Sequence, residues 1–268
     1  MQLSKIQMQD FHRDGYVVVR NAVPRLMTDA ALYAINHSLG YEGLALDDLP
    51  TFRARSYCPN VKNTPVITDL FNKSPLFDLI ESMLGQGNLL SVTGGQIALR
   101  FPGHGKQDSL RFGGHLDGIG TGTNGMEKGE FSRGFAALVT VLLHDLPDTY
   151  AGNFTVWPQS HRVAEAFFRE ATPEALRKGM PELDLPHEGL QITGRAGDAV
   201  ISHHQLVHGA APNQSPNIRY AAIFRPRHQL TEEIGTAAMT DIWREWEGVR
   251  ATVEPTPQVS DTSAPAST

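Results

Sequence analysis

The sequence predicts a mainly β core with a layer of helices at its N-terminal end. Three observations carry this. Apolar residues at helical spacing concentrate in the first third of the chain. Beyond residue 88, short β-branched and apolar runs recur between turn residues. Glycine (25) and proline (17) make up about one in six of the 268 residues, above the usual share of roughly 12%, so many turns and strands are expected.

Taken in order, Ser4 to Phe11 reads as a short helix closed by the Asp14-Gly15 turn, and Tyr16-Val17-Val18-Val19 as a strand. Pro24 sits at a first helical position; Ala30, Ala31, Ala34 and Ile35 continue that helix to Leu39, with Gly40 as its stop. Residues 41–65 mix Gly, Pro, Asp and Arg without period and read as a long loop, of the kind that often serves as a lid. Ser74-Pro75 is an N-cap followed by proline at the first helical position. Leu76, Leu79, Ile80, Met83 and Leu84 then form one apolar face, and Gly85 ends the helix. Strands are expected over 89–101, 109–117, 135–144, 153–157, 189–193, 197–202, 205–209 and 218–225. A helical insert is expected over 161–179, with Thr172-Pro173 as a further cap, and a last short helix holding Ile242, Trp243 and Trp246. Residues 251–268 are rich in Pro, Ser and Thr and read as a disordered tail. This gives one domain over 1–250: a helical layer (1–88), a β core (89–227) and a C-terminal helix to 250.

A net charge of −6 argues against a nucleic-acid or anionic-membrane surface. No apolar run approaches the roughly 18 residues of a membrane helix. Cys58 is the only cysteine, which excludes an internal disulfide framework. The opening MQLSKIQMQDF lacks the apolar stretch of a signal peptide. The expectation is a soluble, cytoplasmic protein, with Trp243 and Trp246 serving packing or a homo-oligomer contact.

Function is sought among the 11 histidines. In the segment Phe112-Gly113-Gly114-His115-Leu116-Asp117-Gly118, strand geometry sends His115 and Asp117 to one side and Leu116 to the other. An imidazole and a carboxylate side by side form a two-point metal clamp. The segment 197–209 offers His203, His204 and His208 as a third ligand. Two histidines and one carboxylate on one face leave three positions open on an octahedral metal, the ligand set of non-haem Fe(II) oxygenases. Taken alone, His-x-Asp is a weak signal, often no more than a surface turn or a hydrogen-bonded pair. The joint pattern is stronger: His208 lies 93 residues beyond His115, and Arg219 lies 11 beyond His208.

Four motifs in order resemble the phytanoyl-CoA dioxygenase-like Fe(II)/2-oxoglutarate oxygenases over roughly residues 8–227: FHRDGYVVVRNAVP, GGQIALRFPG followed by His115-x-Asp117, GNFTVWPQSHR, and GDAVISHHQLVHGAAPNQSPNIR. The resemblance implies a double-stranded β-helix (jelly roll). It implies His115, Asp117 and His208 as Fe(II) ligands and Arg219 as the anchor for 2-oxoglutarate. A guanidinium suits that task, since it grips a carboxylate with two parallel hydrogen bonds. Gln96 and Phe112 fall at offsets where relatives place co-substrate contacts; Phe112 is equally read as core packing. Arg111, Trp157 and His203 are candidate substrate contacts, Trp157 being either pocket lining or core filler. Gly114, Leu116 and Pro158-Gln159-Ser160-His161 depart from the usual residues around these motifs, and Arg100 falls near a position where some relatives hold lysine.

The implied activity is O₂-dependent oxidation of a small, polar or anionic molecule, with release of succinate and CO₂. Asp117 favours hydroxylation over halogenation, because halogenating relatives replace the carboxylate with a small residue. A peptidyl or protein hydroxylase of the same fold is the alternative, followed by a zinc hydrolase or a non-catalytic cupin-like binding protein. The glycine-rich run 118–125 is read either as a mobile flap or as a solvent loop.

Overall fold

The computed structural model describes residues 1–103 and 112–253. Helix α1 (Lys5–Asp14) starts at a capping box: the Ser4 hydroxyl accepts from the Gln7 amide while the Gln7 side chain accepts from the Ser4 amide. Gly15, at φ 81°, closes it and turns the chain into β1 (Tyr16–Val19). Helix α2 (Arg25–Glu42) runs through Gly40, the expected stop, and ends at Gly43. Gly40 adopts no left-handed conformation and faces open space, so nothing forces a break there.

The expected loop over 41–65 contains one 3-10 turn (46–48) and a short helix, α3 (Leu49–Ala54). The sequence pattern missed α4 (Pro65–Asn72), which buries Ile67, Leu70 and Phe71. Helix α5 (Pro75–Leu84) follows, capped by the Ser74 hydroxyl and burying the five predicted apolar residues.

The remaining strands are β2 (Gln96–Arg100), β3 (Ala137–Leu142), β4 (Phe154–Val156), β5 (Leu190–Gln191), β6 (Ala199–His203), β7 (His208–Ala210) and β8 (Arg219–Phe224). They are shorter than the expected runs, and they form two antiparallel sheets. The larger has the order β1-β6-β3-β8-β2 and the smaller β5-β4-β7. Strand β1 lies within the predicted helical layer yet pairs with β6 along its whole length, so it belongs to the core. Alternation divides the faces of the large sheet. Ile97, Leu99, Val139, Val141, Ala222 and Phe224 pack against the helices. Leu138 and Val200 meet Phe154 and Val156 of the small sheet. This two-sheet wrap is the jelly-roll core.

Helix α6 (Ser160–Ala171) and a 3-10 turn (173–178) fill the helical insert, although no side chain caps the turn at Thr172. After α7 (Thr231–Ile234) the chain makes turns that carry Ile242, Trp243 and Trp246 in place of the expected helix. Trp246 is fully buried beside Phe11, their ring centroids 4.8 Å apart. Helix α8 (Glu247–Val253) includes the first three residues of the predicted tail. Residues 254–268 lie outside the described residues, as does the start of the expected strand 109–117. Among the described residues no helix is long and apolar enough to cross a membrane.

Candidate metal centre

His115 sits on a single antiparallel bridge to His208, the first residue of β7. The two residues exchange both backbone hydrogen bonds, at 2.8 and 3.1 Å, which brings their rings to 4.6 Å between centroids. The approach requires Gly114. A Cβ there would fall 2.5 Å from Val207 and 2.7 Å from Trp157. Two residues beyond His115, Asp117 projects to the same side while Leu116 is buried beneath. One Asp117 oxygen, Oδ1, lies 3.4 Å from His115 Nε2 and 3.5 Å from His208 Nε2. One ligand atom from each of the three residues lies within 4.8 Å of the others.

The donor chemistry suits a divalent metal. His208 Nδ1 is 3.0 Å from the Leu206 carbonyl, an acceptor only, so Nδ1 carries the proton and Nε2 offers a lone pair. Desolvation lowers the pKa of His115 against the hydrogen bond to Asp117, so its ring is neutral near pH 7. Desolvation would raise the Asp117 carboxyl, but Arg225 and the two imidazoles outweigh it and hold the group well below the usual carboxylate range. Arg225 donates from both Nε and a terminal nitrogen to the second oxygen, Oδ2, each at 2.8 Å. Its other terminal nitrogen donates to Gln96 Oε1 at 2.9 Å. Arg225 therefore occupies one carboxylate oxygen and leaves the other facing the histidines.

The triad opens onto a cavity of about 460 Å³ whose floor is the β2–β8 pair. Of the registered pairs Gln96–Ile223, Ala98–Ala221 and Arg100–Arg219, all but Ala221 line it. Ala98 leaves space; the two arginines supply charge. Arg219 is 3% exposed and donates to the Gly152 carbonyl at 2.7 Å and the Ala98 carbonyl at 3.0 Å. Gly152, at φ 77°, has no Cβ; one would fall 2.7 Å from Arg100 Cβ. Burial, with Arg100 alongside, lowers the Arg219 pKa to about 9, and among the described residues no carboxylate pairs with it. A buried guanidinium with two hydrogen bonds and no counter-ion is a ready anchor for a ligand carboxylate.

The structure separates the other sequence candidates. Gln96 lines the cavity. Phe112 and Trp157 pack edge-to-face, ring centroids 6.1 Å apart, in a cluster with Leu116, Val207 and Phe168, and neither lines the cavity. Here Trp157 fills space beneath Gly114 and Gly189. His203 is fully buried away from the cavity, bonded to the Ile242 carbonyl at 2.8 Å and the Gln205 amide at 3.1 Å. Arg111 lies outside the described residues. The sequence reading missed Arg225, although Arg219, Ile223, Arg225 and Arg227 alternate along one strand and its extension, and that period could have found it. The run 118–125 is paired with a second segment across a turn. It forms one arm of a hairpin: Ile119 bridges Phe131, and the Gly120 amide donates to the Glu130 carbonyl. This hairpin brings Thr121 and Asn124 to the cavity wall.

Residues 132–221 match the model of the phytanoyl-CoA dioxygenase (PhyH) family. That segment holds His208 and Arg219 but stops short of His115 and Asp117. No curated protein sequence matches the chain. Several solved structures share its fold. EctD from S. alaskensis, with 2-oxoglutarate and 5-hydroxyectoine, is 20% identical at a TM-score of 0.55, over 84% of this chain and 76% of that one. HygX from Streptomyces hygroscopicus, with nickel and 2-oxoglutarate bound, is 18% identical at a TM-score of 0.54, over 85% and 88%. The epimerase SnoN from nogalamycin biosynthesis is 19% identical at a TM-score of 0.54, over 84% and 80%. The fold is thus the jelly roll that these solved structures share, and it carries a two-histidine, one-carboxylate constellation. Residues 132–221 of that core are similar to the phytanoyl-CoA dioxygenase (PhyH) family.

Proposed function

We propose that this protein is an Fe(II)- and 2-oxoglutarate-dependent dioxygenase acting on a small molecule. The observation that carries the reading is the shared cavity: the metal-ready triad and the buried Arg219, which has no counter-ion among the described residues, line the same space. His115, Asp117 and His208 would hold the iron, and Arg219 the distal carboxylate of 2-oxoglutarate. Bound Fe(II) supplies oxidation of the substrate by O₂, coupled to decarboxylation of 2-oxoglutarate to succinate and CO₂.

The chain's own contributions are positioning and exclusion. The Leu206 carbonyl fixes the His208 tautomer. Arg225 and Gln96 fix the Asp117 rotamer and keep the carboxylate ionised. Leu138, Phe154 and Ile223 give the cavity an apolar wall that sheds water from the reacting region. The 118–132 hairpin forms the wall across the cavity.

Anaerobic titration of the protein with Fe(II) and then 2-oxoglutarate tests the reading. A metal-to-ligand absorption band should develop only when both are present. Its absence in folded, metal-loaded protein would sink the proposal. O₂ consumption separates it from a zinc hydrolase, which would take up none, and succinate release with metabolites but not peptides separates it from a peptidyl hydroxylase.

A further inference from the structure

The metal cavity does not end at the triad. Past Gln96, Ile223 and Arg225 it adjoins a second limb of about 460 Å³ that shares those three residues. This limb is lined by Arg55, Lys62 and Arg227, with Asn63, Ser91 and Thr93 adding neutral polar groups. Among the described residues no acidic side chain lines it. A neighbouring space of about 410 Å³ joins the two around Arg55, Lys62, Asp117 and Arg225. Among the described residues its only acid is Asp117, already paired with Arg225.

The charge of this limb is unexplained by the chain. The protein as a whole is at −6, yet Arg55, Lys62, Arg225 and Arg227 all line this limb. Among the described residues neither Arg55 nor Lys62 forms an ion pair. Arg227 pairs with Glu232, itself 84% exposed, while its buried Nε has no partner. A concave, one-sign surface with unused donors concentrates an oxyanion. The co-substrate does not account for it, because Arg219 and Arg100 already supply a carboxylate anchor on the β2–β8 floor.

Resting on the oxygenase reading above, we infer that the second limb binds an oxyanion group of the substrate, phosphate or carboxylate. The substrate reaches past Arg225, so that its charged end lies against Arg55, Lys62 and Arg227 and its oxidised carbon by the triad.

The test uses pyrophosphate and tricarballylate as probes, titrated calorimetrically at fixed ionic strength. Each is titrated into metal-free protein and into protein saturated with 2-oxoglutarate. At least one probe should bind in both states, and the tighter one assigns phosphate or carboxylate. Arg55→Gln/Lys62→Gln should weaken it tenfold or more without changing 2-oxoglutarate binding, and Arg55→Lys/Lys62→Arg should restore it. The inference is overturned if neither probe binds the wild type at millimolar concentration. It also fails if the double variant binds as the wild type does, or if 2-oxoglutarate displaces the probe, which would place the anion at Arg219. Should Fe(II) and 2-oxoglutarate fail to bind while the probe still responds to Arg55 and Lys62, the anion limb stands and the oxygenase reading falls.

Discussion

Arg219 and Asp117 show how a side chain's role follows from its uncompensated charge. Arg219 is buried with carbonyls as its only described partners, so its positive charge awaits a ligand. Arg219→Gln should weaken 2-oxoglutarate binding by about 30-fold or more, the loss of a desolvated charged pair being on the order of 2–5 kcal/mol. Metal affinity, measured by chelator competition, should stay near wild type; iron loss with unchanged co-substrate affinity would contradict the assignment. Asp117→Ala should abolish metal binding and turnover while leaving far-UV circular dichroism unchanged. Normal activity in that variant would remove Asp117 from the ligand set. Arg225→Met leaves Asp117 in place but frees its second oxygen. Metal affinity should fall by about 10–100-fold, the usual effect of losing a ligand's supporting partner, and an unchanged affinity would show that Asp117 is fixed by other means.

At the scale of elements, the site depends on two backbones approaching closely. The His115–His208 bridge exists because Gly114 lets the strand pass over Trp157 and Val207. Gly114→Ala should cost about 1–3 kcal/mol through overpacking and should weaken metal binding as well, since the bridge sets the spacing of the rings. Pairing it with Val207→Ala, which removes the nearer obstacle, should recover part of both losses; urea unfolding and metal titration check this, and an unperturbed single variant would refute the packing argument. Several elements were legible from local chemistry alone. Ser74-Pro75 and the spacing of Leu76, Leu79, Ile80, Met83 and Leu84 define α5 because cap and amphipathic face agree. In contrast, Pro65 and the apolar pattern of α4 sit next to a stretch without period, and α3 buries no residue fully, so neither announces itself. Gly40 misleads because a glycine on an open helix face breaks nothing.

At the scale of the whole molecule, a histidine and aromatic cluster ties the chain's beginning to its end. His161 of α6 and His203 of β6 lie 5.5 Å apart between ring centroids, with Trp243 and Trp246 against them and Phe11 beside His203. Burial holds His161 neutral, its pKa lowered from 6.5 to about 3, and pushes His203 well below its ordinary range. The unfolded chain binds protons at these rings near pH 6.5, whereas the folded chain does not. Their contribution is therefore complete above pH 6.5 and is lost as the pH falls from 6.5 toward 3. Unfolding free energy should drop with a slope near 1.4 kcal/mol per pH unit per histidine in that window. His161→Gln should flatten the slope by about one proton; an unchanged slope would mean that His161 titrates normally in the native state.

The sequence by itself determined the short-range features: caps, apolar faces, the alternation that sets His115 and Asp117 side by side, and the motif order that resembles a family. Those depend on residues a few positions apart, where propensity and periodicity act directly. Only the tertiary structure decided which of His203, His204 and His208 meets that pair, that Trp157 and Phe112 fill core space, and that Arg225 braces the carboxylate. The ligand set and the Arg225 brace turn on the pairing of segments about 90 to 110 residues apart, and register between distant strands is fixed by the packing of both sheets together, which no local pattern encodes.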